Sequence, residues 1–369
     1  MLFAYTYVQH KMEKMQQFID FLFFEVWCKA PGAGPFGMHL FNGNPELKAV
    51  VTAFHYSDAK GADFFNGHVQ HIYTLFANLQ PAQIAQLQNW YRGNNDLEKV
   101  CANNPAAQLV RYAELQAQHP TLHDELAHFF KGLYDHSLLG LKALREVIGE
   151  IDDHYTSFAQ ANRLGKCPFC GLNDLLGAYH SKREAYDHYL PKALYPFNTI
   201  NFRNLVPTCH HCNSSYKGSK NPARTFKDPC GVQARRKLFY PFATQAWRIE
   251  LRVKLSHTDH KNLKPNDIDL SFGPPALAEE ICTWNDVYGI EERYRAKLCD
   301  SDAKAWIVEV LDEWRWHTES GGTDGKTPEK YLRGIQRHTK QAPYANSNFL
   351  KHGFLQACDA AGMFADQHA

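Results

Sequence analysis

Two Cys-x-x-Cys pairs constrain the fold of this chain more than any other feature of its sequence. The pairs are Cys167/Cys170 and Cys209/Cys212, and 38 residues separate them. Two residues between a pair of thiolates allow both sulfurs to turn toward one ion, so the two pairs together complete a closed tetrahedral site. A redox-active pair is the competing interpretation of a single Cys-x-x-Cys. Two pairs around one compact segment instead predict a structural Zn²⁺ ion bound by all four cysteines.

The remaining six cysteines show no spacing pattern that would indicate a disulfide framework. They are Cys28, Cys101, Cys230, Cys282, Cys299 and Cys358. The longest apolar stretch near the start, residues 18–28, contains two acidic residues and is shorter than the roughly 20 residues that span a bilayer. The start also lacks the basic segment and cleavage site of a signal peptide. We therefore expect a cytoplasmic protein with no membrane partner.

The segment between the two pairs contains a set of residues suited to phosphodiester hydrolysis. Asp187 and His188 are adjacent, Asn204 follows within the segment, and Asn213 comes directly after the last cysteine. A neutral imidazole, with an unperturbed pKa of about 6.5, can take a proton from water at neutral pH, which makes His188 the candidate general base. The side-chain oxygens of Asp187 and Asn213 suit a hard divalent ion such as Mg²⁺ or Mn²⁺.

Each of these residues also has an ordinary interpretation. His188 is one of twenty histidines, and Asn213 could cap the helix expected after the second pair. His210 and His211 lie between two cysteine ligands and could replace one of them, although four thiolates already suffice. No single residue predicts catalysis. The prediction rests on the occurrence, in this order, of Asp187, His188, Asn204 and Asn213.

The combination resembles the HNH endonuclease family, in its zinc-ribbon variant with Asn at the last catalytic position. The resemblance rests on Asp187-His188, on Asn204-Leu205 followed by Pro207, and on Cys209 to Asn213, and it covers about 60 of the 369 residues. It implies a β-hairpin and a helix around a catalytic metal, with Asp187 and His188 on the first strand. It also implies that Asn204 holds the loop or orients His188 through a hydrogen bond.

Positive charge is concentrated around this motif. Residues 182–237 contain eleven Lys and Arg but three Asp and Glu, whereas residues 1–150 contain eleven against fourteen. Basic side chains beside a catalytic motif can contact phosphates without reading sequence. Lys217, Lys220 and Arg224 are the predicted nucleic-acid contacts, and a solvated basic face is the alternative.

The periodicity of apolar residues predicts an α+β protein with three regions. Residues 1–160 form a mostly helical region of unknown role, with helical spacing across 126–151. For residues 161–237 the resemblance implies a central ββα-metal module, which contains the four-cysteine zinc site. Residues 238–369 begin with alternating apolar residues at 247–255 and 268–272, which predict a small sheet. Helices are then expected over 276–294, 303–316, 328–338 and 349–364, with a flexible connection at 321–325.

The resemblance implies an endonuclease that hydrolyses DNA by a one-metal mechanism, with RNA not excluded as the substrate. By analogy with related small modules, it also suggests a role in bacterial antiviral defence. The large flanking regions leave room for a protein partner or for oligomer contacts. The alternative is a non-catalytic zinc module that binds nucleic acid or protein, which would need the cysteines but not Asp187, His188 and Asn213.

Overall fold

The computed structural model describes residues 1–225, 233–320 and 328–364, which form an α+β structure with two small antiparallel sheets. Lys227, Cys230 and the expected connection at 321–325 lie outside the described residues. Among the described helices, none combines the length and the apolar character needed to span a membrane.

The first region is helical, as its sequence predicts. Its helices are α1 (Glu13–Phe21), α2 (Pro45–His55), α3 (Lys60–Phe76), α4 (Pro81–Asn95), α5 (Leu97–Cys101), α6 (Tyr112–Gln118), α7 (Pro120–Gly132), α8 (His136–Leu139), α9 (Lys142–Ile148) and α10 (Ile151–Ala161). A π-helical turn, Leu22–Trp27, continues α1. The helical pattern over 126–151 is thus divided among four helices. Asp135 caps α8 by accepting a hydrogen bond from the Ser137 amide, and Gly149 ends α9 with a positive φ of 77°.

The central region contains a short antiparallel hairpin and a π-helical segment. Strand β1 (Tyr186–His188) pairs with β2 (Leu205–Pro207), and Asp187 lies opposite Val206. The π-helical segment His211–Lys217 starts within the second cysteine pair. The expected order of hairpin and helix is therefore present, although the helical part is short and wider than an α-helix.

The loop between β1 and β2 is anchored in the helical region. The Phe197 ring contacts the rings of Phe23 and Phe130, with centroids 5.6 and 5.1 Å apart. At the end of α4, the fully buried Asn94 side chain donates to the Pro196 carbonyl at 2.8 Å. Asn198 donates in turn to the Asn94 carbonyl at 3.2 Å. Buried amide groups need such partners, so these bonds fix the loop relative to α4.

The last region contains the predicted hairpin and five helices. Strand β3 (Glu250–Leu255) pairs with β4 (Ile268–Gly273), which confirms both alternating patterns. The helices are α11 (Ala278–Tyr288), α12 (Ile290–Cys299), α13 (Ser301–Glu319), α14 (Pro328–Gln341) and α15 (Asn348–Ala360). The single helix expected over 276–294 is divided at Gly289, whose φ of 59° is left-handed. A Cβ atom at Gly289 would lie 2.7 Å from the Tyr216 ring, so glycine also permits the close approach of the central region.

Candidate metal centre and catalytic site

The four predicted zinc ligands lie together in the interior. Cys167, Cys170, Cys209 and Cys212 are all buried, and their sulfur atoms lie within 4.8 Å of one another. Four sulfurs at the usual Zn–S distance of about 2.3 Å stand about 3.8 Å apart in a tetrahedron, so a small inward shift suffices to bind zinc. None of the described cysteines forms a disulfide. The donor set and its spacing therefore fit a structural metal ion.

The first cysteine pair has the backbone of a metal-binding turn. The Gly171 amide donates to the Cys167 carbonyl at 2.7 Å, and Gly171 has a φ of 68°. A Cβ atom here would lie 2.2 Å from the Leu2 side chain. Glycine is required on both grounds, which the sequence alone did not reveal.

Two C-terminal helices hold the cysteine cluster through polar contacts. Trp284 on α11 donates from Nε1 to the Phe169 carbonyl at 2.6 Å, and Tyr294 on α12 donates to the Cys170 carbonyl at 2.8 Å. The Arg293 guanidinium donates to the Cys212 sulfur at 3.2 Å. A zinc ion with four thiolates carries a net charge of −2, so this cation would offset part of it. No spacing pattern in the sequence indicates these three residues.

The two histidines within the second pair are not part of the cluster. His210 and His211 are both exposed, and His211 Nδ1 accepts a hydrogen bond from the Asn173 side chain at 2.7 Å. Among the described residues, the cluster of potential metal ligands at this site consists of the four cysteines alone. Histidine thus does not replace a cysteine.

Asn204 holds the loop rather than the imidazole. Its side chain is fully buried, accepts from the Leu190 amide at 2.7 Å and donates to the Leu190 and Asn198 carbonyls at 3.1 and 3.3 Å. The ring of His188 is instead held by Thr199, the residue after Asn198. Of the two expected roles for Asn204, only loop fixation corresponds to its hydrogen bonds.

His188 is held in one tautomer by a backbone carbonyl. Its Nε2 lies 2.9 Å from the Thr199 oxygen. A carbonyl can only accept, so Nε2 carries the proton and Nδ1 has the free lone pair. The Tyr134 ring packs at 84° to the imidazole, with centroids 4.9 Å apart. Neither Thr199 nor Tyr134 belongs to the motif, and both are found only from the fold.

The surroundings of His188 keep its imidazole neutral. Burial lowers the pKa of His188 to about 3, and the nearby charge of Lys192 adds to this effect. The ring is therefore in its neutral form at neutral pH, which is the form that a general base requires. A bound phosphate carries negative charge, which would raise the pKa of His188 and make its imidazole a stronger base.

Asp187 forms a buried ion pair with Lys217. The Lys217 ammonium lies 2.7 Å from Asp187 Oδ1 and 2.8 Å from the His188 carbonyl oxygen, and both side chains are less than 5% exposed. The other carboxylate oxygen, Oδ2, is buried without a hydrogen-bond partner among the described residues. Burial raises the pKa of Asp187, an effect that the adjacent ammonium opposes.

This ion pair corrects the prediction that Lys217 contacts phosphate from the surface. A buried carboxylate without a cation would be costly, and the Lys217 side chain, only 1% exposed, supplies that cation. Lys220 lies 3.4 Å from the Val287 carbonyl, and Arg224 donates to the Gln233 carbonyl at 3.1 Å. Arg236, further along, pairs with Asp286 at 2.6 Å. Arg224 also lies 3.9 Å from Glu114 of α6, so the basic stretch contacts both flanking regions.

Asn213 is half-buried in the π-helical segment. Its backbone amide donates to the Cys209 carbonyl at 3.0 Å. The residue that precedes the segment is His210, so Asn213 does not cap the helix. The Asn213 carbonyl accepts from the Gly218 amide at 2.8 Å, at the end of the segment.

Replacing Lys217 by methionine should destabilise the protein by about 3–5 kcal/mol, because it leaves the Asp187 carboxylate buried and unpaired. Urea unfolding followed by tryptophan fluorescence measures this loss. The double variant with Asp187→Leu removes both charges and should recover most of the stability. An exposed control, Lys142→Met, should leave the unfolding midpoint nearly unchanged. A midpoint for Lys217→Met equal to that of the wild type would contradict the buried pair.

The chain matches no protein-family model, no curated protein and no solved structure. The resemblance to HNH nucleases therefore rests on the motif residues themselves.

Proposed function

We propose that this protein is a metal-dependent endonuclease of the HNH type, and that Zn²⁺ has a structural role in it. The observation that carries the proposal is the convergence of a hairpin and a helix on Asp187 and His188, beside four clustered cysteines.

The residues that would hold a catalytic Mg²⁺ or Mn²⁺ ion are Asp187 and Asn213. The unpartnered Oδ2 atom of Asp187 is an oxygen donor with unused capacity, and such donors suit hard divalent ions. When bound, the ion would neutralise charge on the phosphate and on the leaving 3′ oxygen. Zn²⁺ would remain with the four thiolates, which leave no position open for substrate.

The chain's own groups account for the proton transfer. His188 Nδ1 takes a proton from the attacking water while the new P–O bond forms and the bond to the 3′ oxygen breaks, and the released 3′ oxygen takes a proton from solvent. The Thr199 carbonyl keeps the ring in the tautomer that can accept this proton, and Asn204 keeps the loop in place. The products, following the family, are a 5′ phosphate and a 3′ hydroxyl.

Metal removal separates the two expected ions. Mild EDTA treatment should abolish cleavage of supercoiled plasmid before it removes zinc, because the buried thiolates bind zinc more tightly than two oxygen donors bind Mg²⁺. Added Mg²⁺ or Mn²⁺ should restore cleavage, and Asp187→Ala should shift the restoration to higher metal concentration. Cleavage by the zinc-loaded protein in excess EDTA would refute the roles of Asp187 and Asn213.

A non-catalytic zinc module is the second candidate, and the internal pairing of Asp187 with Lys217 favours it. On this alternative the pair only stabilises the central region, and the module binds nucleic acid or protein. The two candidates differ in the cleavage of double-stranded DNA, single-stranded DNA and RNA by the purified protein with Mg²⁺ or Mn²⁺. Binding without any cleavage would select the second candidate.

The remaining parts of the proposal concern the setting of the reaction. DNA is the proposed substrate and RNA the alternative, with the cytoplasm as the site of action. The proposal also includes a role in bacterial antiviral defence. It further includes a protein partner, or a second copy of the chain, bound by the flanking regions. Phage plating on cells expressing the wild-type protein or His188→Ala tests the defence role directly.

A further inference from the structure

A groove of about 670 Å³ lies between the start of β3 and the two last helices. One wall is formed by residues 248–252, and the other by Lys340, Tyr344, Phe349 and His352 of α14, α15 and the turn between them. The motif does not include any of these residues.

The groove is lined by several positive groups and one acidic group. Arg248, Arg252 and Lys340 are exposed along it, whereas Glu250 is its single carboxylate and lies 3.5 Å from Arg252. Among the described residues, neither Arg248 nor Lys340 forms an ion pair with a carboxylate. Burial lowers the pKa of His352, and the charges of Lys340 and Arg248 lower it further, which is consistent with their convergence. Unpaired cations that converge in this way favour an anionic ligand.

The groove also contains aromatic surface and borders the cysteine cluster. Tyr344 and Phe349 are half-buried in its wall, with ring centroids 4.6 Å from Phe3 and 5.3 Å from Tyr294 respectively, and their exposed parts are aromatic surface on which a base can pack. Tyr344 donates to the Leu2 carbonyl at 3.3 Å, and the Leu2 amide donates to the Pro168 carbonyl at 2.8 Å. Leu2 thus connects the groove to the first cysteine pair.

We infer that this groove binds the sugar-phosphate backbone of a nucleic-acid strand. Cations beside aromatic rings are the combination that single-stranded nucleic acids require. The basic residues next to the motif cannot supply this surface alone, because Lys217 is buried against Asp187 and Arg236 is paired with Asp286. The role of the groove in presenting substrate to His188 rests on the proposed function; binding by the groove does not.

The test is the binding of a fluorescent single-stranded oligonucleotide to the full chain in EDTA, followed by anisotropy across a salt series. The double variant Arg248→Gln/Lys340→Gln should bind about 25-fold more weakly near 0.1 M salt, with a salt slope smaller by about 1.4, because two phosphate contacts to a single strand are lost. The control Lys142→Gln/Lys261→Gln removes the same charge from exposed positions outside the groove and should bind like the wild type.

Equal losses in the two double variants would mean that only net charge matters and would overturn the inference, as would wild-type binding by the groove variant. EDTA prevents cleavage, so the result does not depend on the catalytic proposal. A protein that binds through the groove but never cleaves would refute the proposed nuclease and leave the groove in place. If the groove variant binds the oligonucleotide like the wild type and the protein cleaves DNA, the groove inference is refuted and the proposed nuclease is retained.

Discussion

His188→Ala should reduce DNA cleavage by about 10²–10⁴-fold, the usual contribution of a general base. The fold should survive, because among the described residues the ring forms one hydrogen bond, to the Thr199 carbonyl, and is only half-buried. Conversion of supercoiled plasmid in Mg²⁺ measures the rate, and zinc content together with circular dichroism verifies the fold.

The matched control for this experiment is His55→Ala, at an exposed position on α2. It should cleave at the wild-type rate, and both variants should bind the oligonucleotide as the wild type does. If His188→Ala cleaves as fast as His55→Ala, another group removes the proton and the assignment fails.

Loss of one zinc ligand should have a large effect on stability. Cys212→Ser should release the ion and unfold the central region, because binding of a structural zinc is worth roughly 10–16 kcal/mol and is coupled to folding. Cys212 also accepts a hydrogen bond from Arg293, so the variant removes a contact with α12 as well. Elemental analysis measures zinc per chain, and limited proteolysis detects the unfolded region.

Cys282→Ser provides the control, since this exposed cysteine lies outside the cluster. It should retain one zinc per chain and the wild-type proteolysis pattern. A well-folded wild-type protein without zinc would contradict the structural role of the four thiolates.

The features predicted from sequence are those fixed by short-range patterns. The spacing of the cysteines predicts their cluster, and the alternation of Val253 and Leu255 with polar residues predicts the C-terminal hairpin. Such patterns work because they follow directly from ligand geometry and from the two-residue period of a strand. The order of hairpin and helix came from the family resemblance.

The features that sequence did not predict depend on contacts between distant segments. Charge counting assigned Lys217 to the surface, yet the burial of Asp187, 30 positions away, gives its ammonium an internal partner. The cation beside the cysteines, Arg293, lies 81 positions from Cys212. The amino-acid composition shows that such charged groups are present, but it cannot show which of them are buried next to one another.

The anchoring of the hairpin loop by α4 has a consequence for how the protein can be shortened. The Thr199 carbonyl that fixes the His188 tautomer lies next to Asn198, and Asn198 is bonded to Asn94 of the helical region. An excised fragment of residues 161–237 would retain the metal ligands, His188 and Thr199, but the loop that carries the Thr199 carbonyl would lose its bonds to α4. The helical region thus helps to fix the orientation of the His188 ring, and a minimal version of the proposed nuclease would have to include α4.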